Sequence, residues 1–411
     1  MQKIYSTIKC CRICGGDVLK NVLDLGNQAP ANSFYSSLDE APPNVPLRLI
    51  YCDKCSTIQL GEDVDPEYLF NKYLWVTGTS SSAEKYSYEF AKAALKKLEN
   101  LSDKKPYIVE IASNDGTFLK RFIEKNCKVL GIDPAKNIAK VANKDGISTI
   151  PNFFTADLAN ELITKDGKAD IIFARNVIPH VKQIHSVIEG MSIFMKNNSV
   201  GIIEFHNAGL VLDELHYDYI YHEHLFYFTL KTLSGLIKRH GLNIYDVMHS
   251  PISGGSWVVY FSKTKIAKSK KLIELENNEL INSINSFSRW KEFSKEVVVH
   301  AEKLTKMVLE SENKILAYGA SARSSTLLNF CGINSNHISL VIDKNPLKVG
   351  LSTAGSNIQI VSIEGALEEI QSSAKILLLA WNFQDEIMSE LRDYGFTGEF
   401  IIPLPGDPCV L

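Results

Sequence analysis

Two kinds of residue cluster in this chain could do chemistry. Residues 217–228 read Tyr-Asp-Tyr-Ile-Tyr-His-Glu-His-Leu-Phe-Tyr-Phe, with His222 and His224 flanking Glu223 among aromatic rings. On a strand the two imidazoles would share one face and could converge on a metal, while Tyr221 and Glu223 faced the other way. On a helix they would diverge. A metal site, an acid/base site and a crowded piece of core all remain open on this stretch alone. The second cluster is made of thiols. Five of the eight cysteines lie before residue 56, and Cys11 and Cys14, Cys52 and Cys55 form two C-x-x-C pairs. Each pair can fold as a knuckle that aims two thiolates at one tetrahedral ion, and four soft ligands favour zinc. Cys11 is chosen over Cys10 by the spacing. Four thiolates leave no open coordination position, so the expected zinc is structural. Cys127, Cys331 and Cys409 are scattered and read as ordinary buried thiols.

These clusters need a scaffold, and 411 residues with 45% hydrophobic content imply two or three domains. A net charge of −3 offers no basic face for nucleic acid. No window reaches the roughly 18 apolar residues of a membrane span, and the N-terminus has no apolar leader core. The expectation is a soluble, cytoplasmic, monomeric protein without nucleic-acid or membrane partners. A small polar run, Thr77 to Ser82, leads into an amphipathic helix expected at about 83–100. The pattern then alternates strand and helix: Tyr-Ile-Val-Glu-Ile-Ala, a helix, Lys-Val-Leu-Gly-Ile-Asp, a helix closed by Gly146, and further strands at 169–175 and 199–205. Such alternation predicts a parallel sheet with helices on both faces. From about 266 the chain becomes charged and helical, and a second α/β series begins at Lys-Ile-Leu-Ala-Tyr-Gly. The expected fold class is therefore α/β, with a small zinc-binding domain at 1–75, a doubly wound domain at 76–265, and helices plus a Rossmann-like domain at 266–411.

The first doubly wound turn limits the cofactor. It reads Glu110-Ile-Ala-Ser-Asn-Asp115-Gly116, one glycine and two acids where a dinucleotide site would carry G-x-G-x-x-G. An acidic turn repels phosphate and suits a cation, and S-adenosylmethionine brings a sulfonium and an ammonium group without phosphate. Asp133, ending the second strand, is placed either to accept hydrogen bonds from ribose hydroxyls or to cap the following helix.

With these residues in view, the chain resembles a known family. Cys-Arg-Ile-Cys, Tyr-Cys-Asp-Lys-Cys, Glu-Ile-Ala-Ser-Asn-Asp-Gly, Gly-Ile-Asp-Pro-Ala, Ala-Arg-Asn-Val-Ile-Pro-His, the 217–228 stretch and Tyr-Gly-Ala-Ser-Ala-Arg occur in the order seen in S-adenosylmethionine-dependent sugar-nucleotide C-methyltransferases of unusual deoxysugar pathways. The resemblance runs from Cys11 to the end of the last strand. It implies structural zinc, a central cofactor domain, and a C-terminal domain that helps hold the nucleotide of a nucleoside-diphosphate keto sugar. It also implies the reaction, proton removal next to a 4-keto group and methylation of that carbon, C3. Cofactor contacts are then expected at Glu110, Ser113, Asn114, Asp115, Gly116, Asp133, Pro134 and Asn176.

A carbon acid beside a ketone needs a base and a group at the developing enolate oxygen. His224 is the expected base, since imidazole titrates near neutrality, with Tyr221 and Glu223 as the partners that position or polarise the substrate, a set that matches the family's active-site motif. His180 matches an active-site histidine beside the donated methyl. His222 is expected to support the backbone, and Phe226, Tyr227 and Phe228 to be core. Substrate contacts are expected from Thr79 and Ser80 in the polar run, and from Tyr318, Ser321, Arg323, Asp343 and Lys348 in the last domain, where a helix opening could meet a diphosphate. The chain departs from the family at Trp75, where tyrosine is common, and at Ser253 and Val258, where histidine and arginine are frequent. Methylation of oxygen or nitrogen, a sugar-nucleotide binder without catalysis, and an NAD-dependent enzyme are the competing readings.

Overall fold

The structure, a computed structural model, describes residues 4–36, 38–70, 77–79, 81–98, 105–251, 255–311 and 313–411. The first element group is β1 (Tyr5–Thr7), β2 (Leu19–Gln28), β3 (Val45–Cys52), β4 (Ile58–Leu60), β5 (Glu62–Val64) and the short α1 (Pro66–Phe70). Antiparallel β2, β3 and β4 form a meander, and the inward positions Val45, Leu47 and Leu49 are buried as a half-solvated sheet requires. Each cysteine knuckle ends at a left-handed residue, Gly15 (φ 67°) and Ser56 (φ 62°), whose amides reach back to Cys11 O and Cys52 O.

The middle group holds α2 (Ser81–Lys96), β6 (Tyr107–Ile111), α3 (Thr117–Ile123), β7 (Lys128–Ile132), α4 (Lys136–Lys144), β8 (Thr149–Ile150), α5 (Ala156–Asp166), β9 (Ala169–Arg175), α6 (Ile184–Phe194), β10 (Met195–Phe205), α7 (Ala208–Asp213), β11 (Phe226–Tyr227), α8 (Leu230–Lys238), β12 (Asn243–Ser250) and β13 (Ser256–Ser262). The helix expected at 83–100 starts at Ser81 and ends at Lys96, because Lys97 and Leu98 close a tighter turn onto Ala94 and Leu95. Seven strands line up as β12-β13-β10-β9-β6-β7-β8. The five from β10 to β8 are parallel, and every residue of β6 is buried, as a strand covered on both faces must be. The wholly parallel sheet expected from the alternation is corrected at one edge, where β13 runs antiparallel to β10 and to β12.

The last group is α9 (Lys270–Ile281), α10 (Phe287–Leu309), β14 (Ile315–Tyr318), α11 (Ala322–Phe330), β15 (Ile338–Ile342), β16 (Ile360–Val361), α12 (Leu367–Ser372), β17 (Lys375–Leu378), α13 (Gln384–Asp393), β18 (Glu399–Ile402) and β19 (Cys409–Val410). Its sheet order is β16-β15-β14-β17-β18-β19, parallel except for β19.

These groups share cores. Trp290, Phe293 and Val297 of α10 pack in one apolar cluster with Leu49 and Leu60 of the cysteine meander and Leu316 and Ile342 of the last sheet. The charge of this helix is its outer face, and its apolar stripe joins two domains. The 217–228 stretch is mostly irregular. Tyr217–Tyr219 form a 3-10 turn, and β11 adds a fourth strand to the meander, pairing Phe226 with Gln59 and Tyr227 with Ile58. The strand that would have put His222 and His224 on one face does not form. Phe226, Tyr227 and Phe228 are buried.

Candidate active site

The knuckle turns bring four thiols together. Cys11, Cys14, Cys52 and Cys55 place their sulfurs within 4.8 Å of one another, with Cys11 to Cys55 at 3.6 Å and Cys14 to Cys52 at 3.5 Å. Zinc–sulfur bonds of about 2.3 Å give a tetrahedral edge of about 3.8 Å, so the donor set fits zinc. The Gln59 amide donates to Cys11 Sγ at 3.1 Å, and the Gly16 amide to Cys14 Sγ at 3.4 Å.

The first turn of the parallel sheet is held open by its backbone. Asn114 (φ 52°) and Gly116 (φ 79°) are left-handed, and a Cβ on Gly116 would stand 2.6 Å from Ile147 Cδ1, so only glycine fits. A 3-10 turn at Thr77–Thr79 lies over it: the Thr77 amide donates to Asn114 Oδ1 and the Gly78 amide to Asp115 Oδ2, both at 2.9 Å. Thr79 therefore sits beside the expected cofactor turn, while Ser80, Trp75 and Ser253 lie outside the described residues. Asp133 accepts the Asn114 amide on one oxygen (2.8 Å) and the Ala135 amide on the other (2.9 Å), with half-buried Pro134 between. It thus ties the turn to the second strand.

Three buried polar atoms at this rim have no hydrogen-bond partner among the described residues: Glu110 Oε2, Ser113 Oγ and Asn176 Oδ1. Unpaired buried acceptors are costly, and a ligand carrying an ammonium group and hydroxyls would satisfy them. S-adenosylmethionine has those groups, so the residues present fit it. Burial holds the Glu110 carboxyl well above its ordinary range, against the pull of Arg175. Arg175 itself is clamped on Glu204 at 2.7 Å, and Ser250 bonds the other oxygen of Glu204. Val258 is buried on β13 opposite Glu204, in the core beneath the rim and not in an open pocket.

After β9 the chain passes Asn176 (φ 50°) into a 3-10 turn that ends at His180. The His180 and His224 rings meet edge to face with centroids 4.6 Å apart, which brings the cofactor rim to the 217–228 stretch. His224 is wedged in that stretch. Its Nδ1 lies 2.8 Å from the Tyr219 carbonyl and its Nε2 2.7 Å from the Tyr221 hydroxyl. A carbonyl can only accept, so Nδ1 carries the proton and the Nε2 lone pair faces the phenol. Burial and the neighbouring His180 push the His224 imidazole well below its ordinary range, and burial pushes His180 down to about 4. Glu223 moves the other way. Burial raises its carboxyl to about 7, although the Asn32 side-chain amide donates to Oε1 at 2.5 Å. His222 Nε2 lies 3.2 Å from the Val45 carbonyl, turned to the meander and away from His224.

The last sheet carries a copy of the Asp133 device. Asp343, ending its second strand, accepts the Ala320 amide and the Asn345 amide, both at 2.8 Å. Lys348 Nζ lies 2.7 Å from Ala320 O and 3.4 Å from Asp343. Ser321 caps α11 through the Ser324 amide. Tyr318 donates to Glu390. Arg323, expected at a diphosphate, makes a two-point ion pair with buried Asp218 instead, both contacts at 3.0 Å, and the Trp381 indole also donates to Asp218. Asp343 and Lys348, on the turn after β15, therefore both bond Ala320, the neighbour of Ser321 on the turn after β14, while Tyr318 and Arg323 are engaged elsewhere. Asn32 and Asp218 escaped the sequence reading. Asn32 meets its partner 191 positions away with no local pattern to mark it, and Asp218 looked like one more polar residue in an aromatic run.

Three family models match the chain in series: a zinc binding domain over residues 11–70, a methyltransferase domain over 83–247 and a C-methyltransferase C-terminal domain over 251–405. The C-methyltransferase NovU of Streptomyces niveus is 30% identical over 419 residues, covering 100% of this chain and 99% of its own. Among solved structures, the PH0226 protein of Pyrococcus horikoshii OT3 matches 48% of this chain and 99% of its own, at 14% identity and a TM-score of 0.37. The magnesium protoporphyrin IX methyltransferase (ChlM) of Synechocystis PCC 6803 with bound SAM matches 44% of this chain and 80% of its own, at 10% identity and a TM-score of 0.34.

Proposed function

This chain belongs to the S-adenosylmethionine-dependent C-methyltransferase family, and on that premise we propose that its substrate is a nucleoside-diphosphate 4-keto-6-deoxysugar, methylated at C3. The observation that carries this reading is the meeting of His180, from the turn after β9, with His224 and its partner Tyr221, while the Glu223 backbone lies against His180 and the 217–228 loop is braced by the two flanking domains. Proton removal from a carbon acid calls for such a set of groups with separated proton affinities.

When bound, S-adenosylmethionine would supply the electrophilic methyl group, the methyl–sulfur bond breaking with its electron pair left on sulfur as a neutral thioether. The protein's part is to make the carbon nucleophilic. The C3 proton leaves to a base, the C3–H electron pair becomes the enolate, and that pair forms the new carbon–carbon bond. His224 is the proposed base, with the half-buried Tyr221 hydroxyl bonded to its Nε2. Glu223 provides a second reading. A carboxyl titrating at about 7 can take or hold a proton at neutral pH, which the depressed His224 does less readily. The Asp343 turn, with Lys348 and Ser321, is the proposed nucleotide end, with a cation for phosphate and an acid for ribose hydroxyls. Domain limits of 1–75, 76–265 and 266–411 belong to the same proposal, the first falling on residues outside those described. Among the described residues no helix is long and apolar enough to cross a membrane. A cytoplasmic monomer without nucleic-acid partners is the expectation kept from the sequence.

The deciding experiment incubates protein and candidate keto sugars in heavy water. Deuterium at C3 without added donor, followed by a new methyl-bearing carbon in the carbon NMR spectrum once donor is present, is the expected result. A methyl on oxygen or nitrogen would overturn the reading.

A further inference from the structure

A segment of the cysteine domain runs from the 217–228 loop to the last domain. Ala29 and Ala31 are buried, and Asn32 then reaches over to Glu223, with Nδ2 to Oε1 at 2.5 Å. Two residues on, the Phe34 ring lies 5.5 Å from Lys348 Nζ. Tyr35 is next fixed to the last domain, its carbonyl accepting the Ser352 amide at 2.8 Å and its hydroxyl donating to Asn357 at 3.0 Å. The segment is thus held at both ends, and Asn32 has little freedom to choose another partner. Glu223 in turn belongs to the loop that carries Tyr221 and His224, and that loop is tied to the same domain through His222 and β11.

We propose that Asn32 is a positioning residue for methyl transfer, holding the Glu223 carboxyl in the orientation the reaction uses, so that the zinc domain contributes a side chain to the active site. This rests on the reading of residues 217–228 as the reacting centre. A buried carboxylate with a fixed donor keeps one oxygen committed, which fixes the plane of the other. The amide of Asn32 donates at every pH, whereas an aspartate of the same shape donates only while it holds a proton, so shape and donation are separable by substitution above the titration of the pair. The group bonded to the buried Glu223 carboxyl is Asn32, from the connection after β2, and His180 lies against the Glu223 backbone.

Two variants, Asn32→Ala and Asn32→Asp, test this in two ways. The first measurement needs no substrate: the infrared carbonyl band of the Glu223 carboxyl, identified by its loss in Glu223→Gln, is titrated in the full zinc-loaded protein. Removing the amide donor from the charged form is expected to move the midpoint up by about one pH unit in Asn32→Ala and further in Asn32→Asp, where two carboxyls compete for one proton. An unmoved midpoint in both overturns the proposal, whatever the substrate. The second measures turnover of the keto sugar. Both variants are expected to lose about tenfold or more in kcat with KM for S-adenosylmethionine and zinc content unchanged. Wild-type kcat in Asn32→Asp alongside a loss in Asn32→Ala would reduce Asn32 to a space-filler. No turnover by the wild type, with a shifted infrared midpoint, would instead condemn the assigned substrate and leave the link to Glu223 standing.

Discussion

The Tyr221 hydroxyl lies 2.7 Å from Nε2 of His224, an imidazole whose other nitrogen is pinned to a backbone carbonyl. The phenol cannot turn to substrate without exchanging its bond to this ring, so the two groups are expected to act as one unit in the proposed proton transfer. Tyr221→Phe and His224→Ala are each expected to slow C3 deuterium exchange by about 10² or more, and the double variant by little beyond the slower single one. Additive losses, multiplied in the double variant, would separate the two side chains.

Glu223 is expected to set a pH dependence. Its folded carboxyl is raised to about 7 by burial, so it is protonated below that pH and ionised above it. If it takes the proton, kcat/KM should climb through pH 7 and the limb should vanish in Glu223→Gln. For stability the sign is opposite to that of a salt-bridged carboxylate. The folded state binds the extra proton between about pH 4.3 and 7, so this group's contribution is full below that window and fades as pH rises through it. Urea midpoints at pH 5 and 8, compared between wild type and Glu223→Gln, measure it.

Removing the metal should unfold more than the knuckles. One zinc per chain is expected by atomic spectrometry, unchanged in Cys10→Ser and lost in Cys52→Ser. Cys10 is exposed, whereas Cys52 is buried among the four convergent sulfurs. Because β11 pairs with the meander, chelation is expected to abolish C3 exchange together with the near-ultraviolet aromatic signal. Retained exchange after complete zinc removal would refute the dependence of the reacting loop on that sheet.

Arg323 supplies a test of place. In the structure it holds Asp218 of the 217–228 loop, and Thr326 of the same helix bonds the Ile220 carbonyl at 2.7 Å. Breaking a buried pair by removing one partner costs about 3–5 kcal/mol, so Arg323→Ala should lower the melting temperature by several degrees. A residue devoted to diphosphate would raise the sugar-nucleotide KM and leave the melting temperature alone. Thermal denaturation beside KM decides between the two.

Much of this was legible from residue order. The cysteine spacing, the acidic turn, the second-strand Asp133 and the alternation of strands and helices all depend on contacts made within a few dozen residues, and such contacts leave periodic or paired traces. What stayed hidden is long-range. The antiparallel edge of β12 and β13 obeys no helical alternation. Asn32 and Glu223 meet only because a loop folds across domains, and Arg323 was read as a phosphate ligand since nothing local announces Asp218 as its partner. The reacting stretch looked like strand or helix by spacing, yet most of its bonds go to the two flanking domains, so its conformation is set by them and not by its own propensity.

The two-residue strand Phe226–Tyr227 has a consequence for anyone cutting or recombining this gene. The segment that carries the proposed reacting groups is encoded in the middle third but completes a sheet whose other strands come from the first 60 residues. A chimera joined between those parts would inherit two halves of one hydrogen-bonded ladder, with register set by different parents. Exchange among relatives should therefore succeed only when residues 217–228 travel together with the N-terminal meander, so the inheritable unit here is a surface of contact, and the boundaries drawn along the chain cut through it.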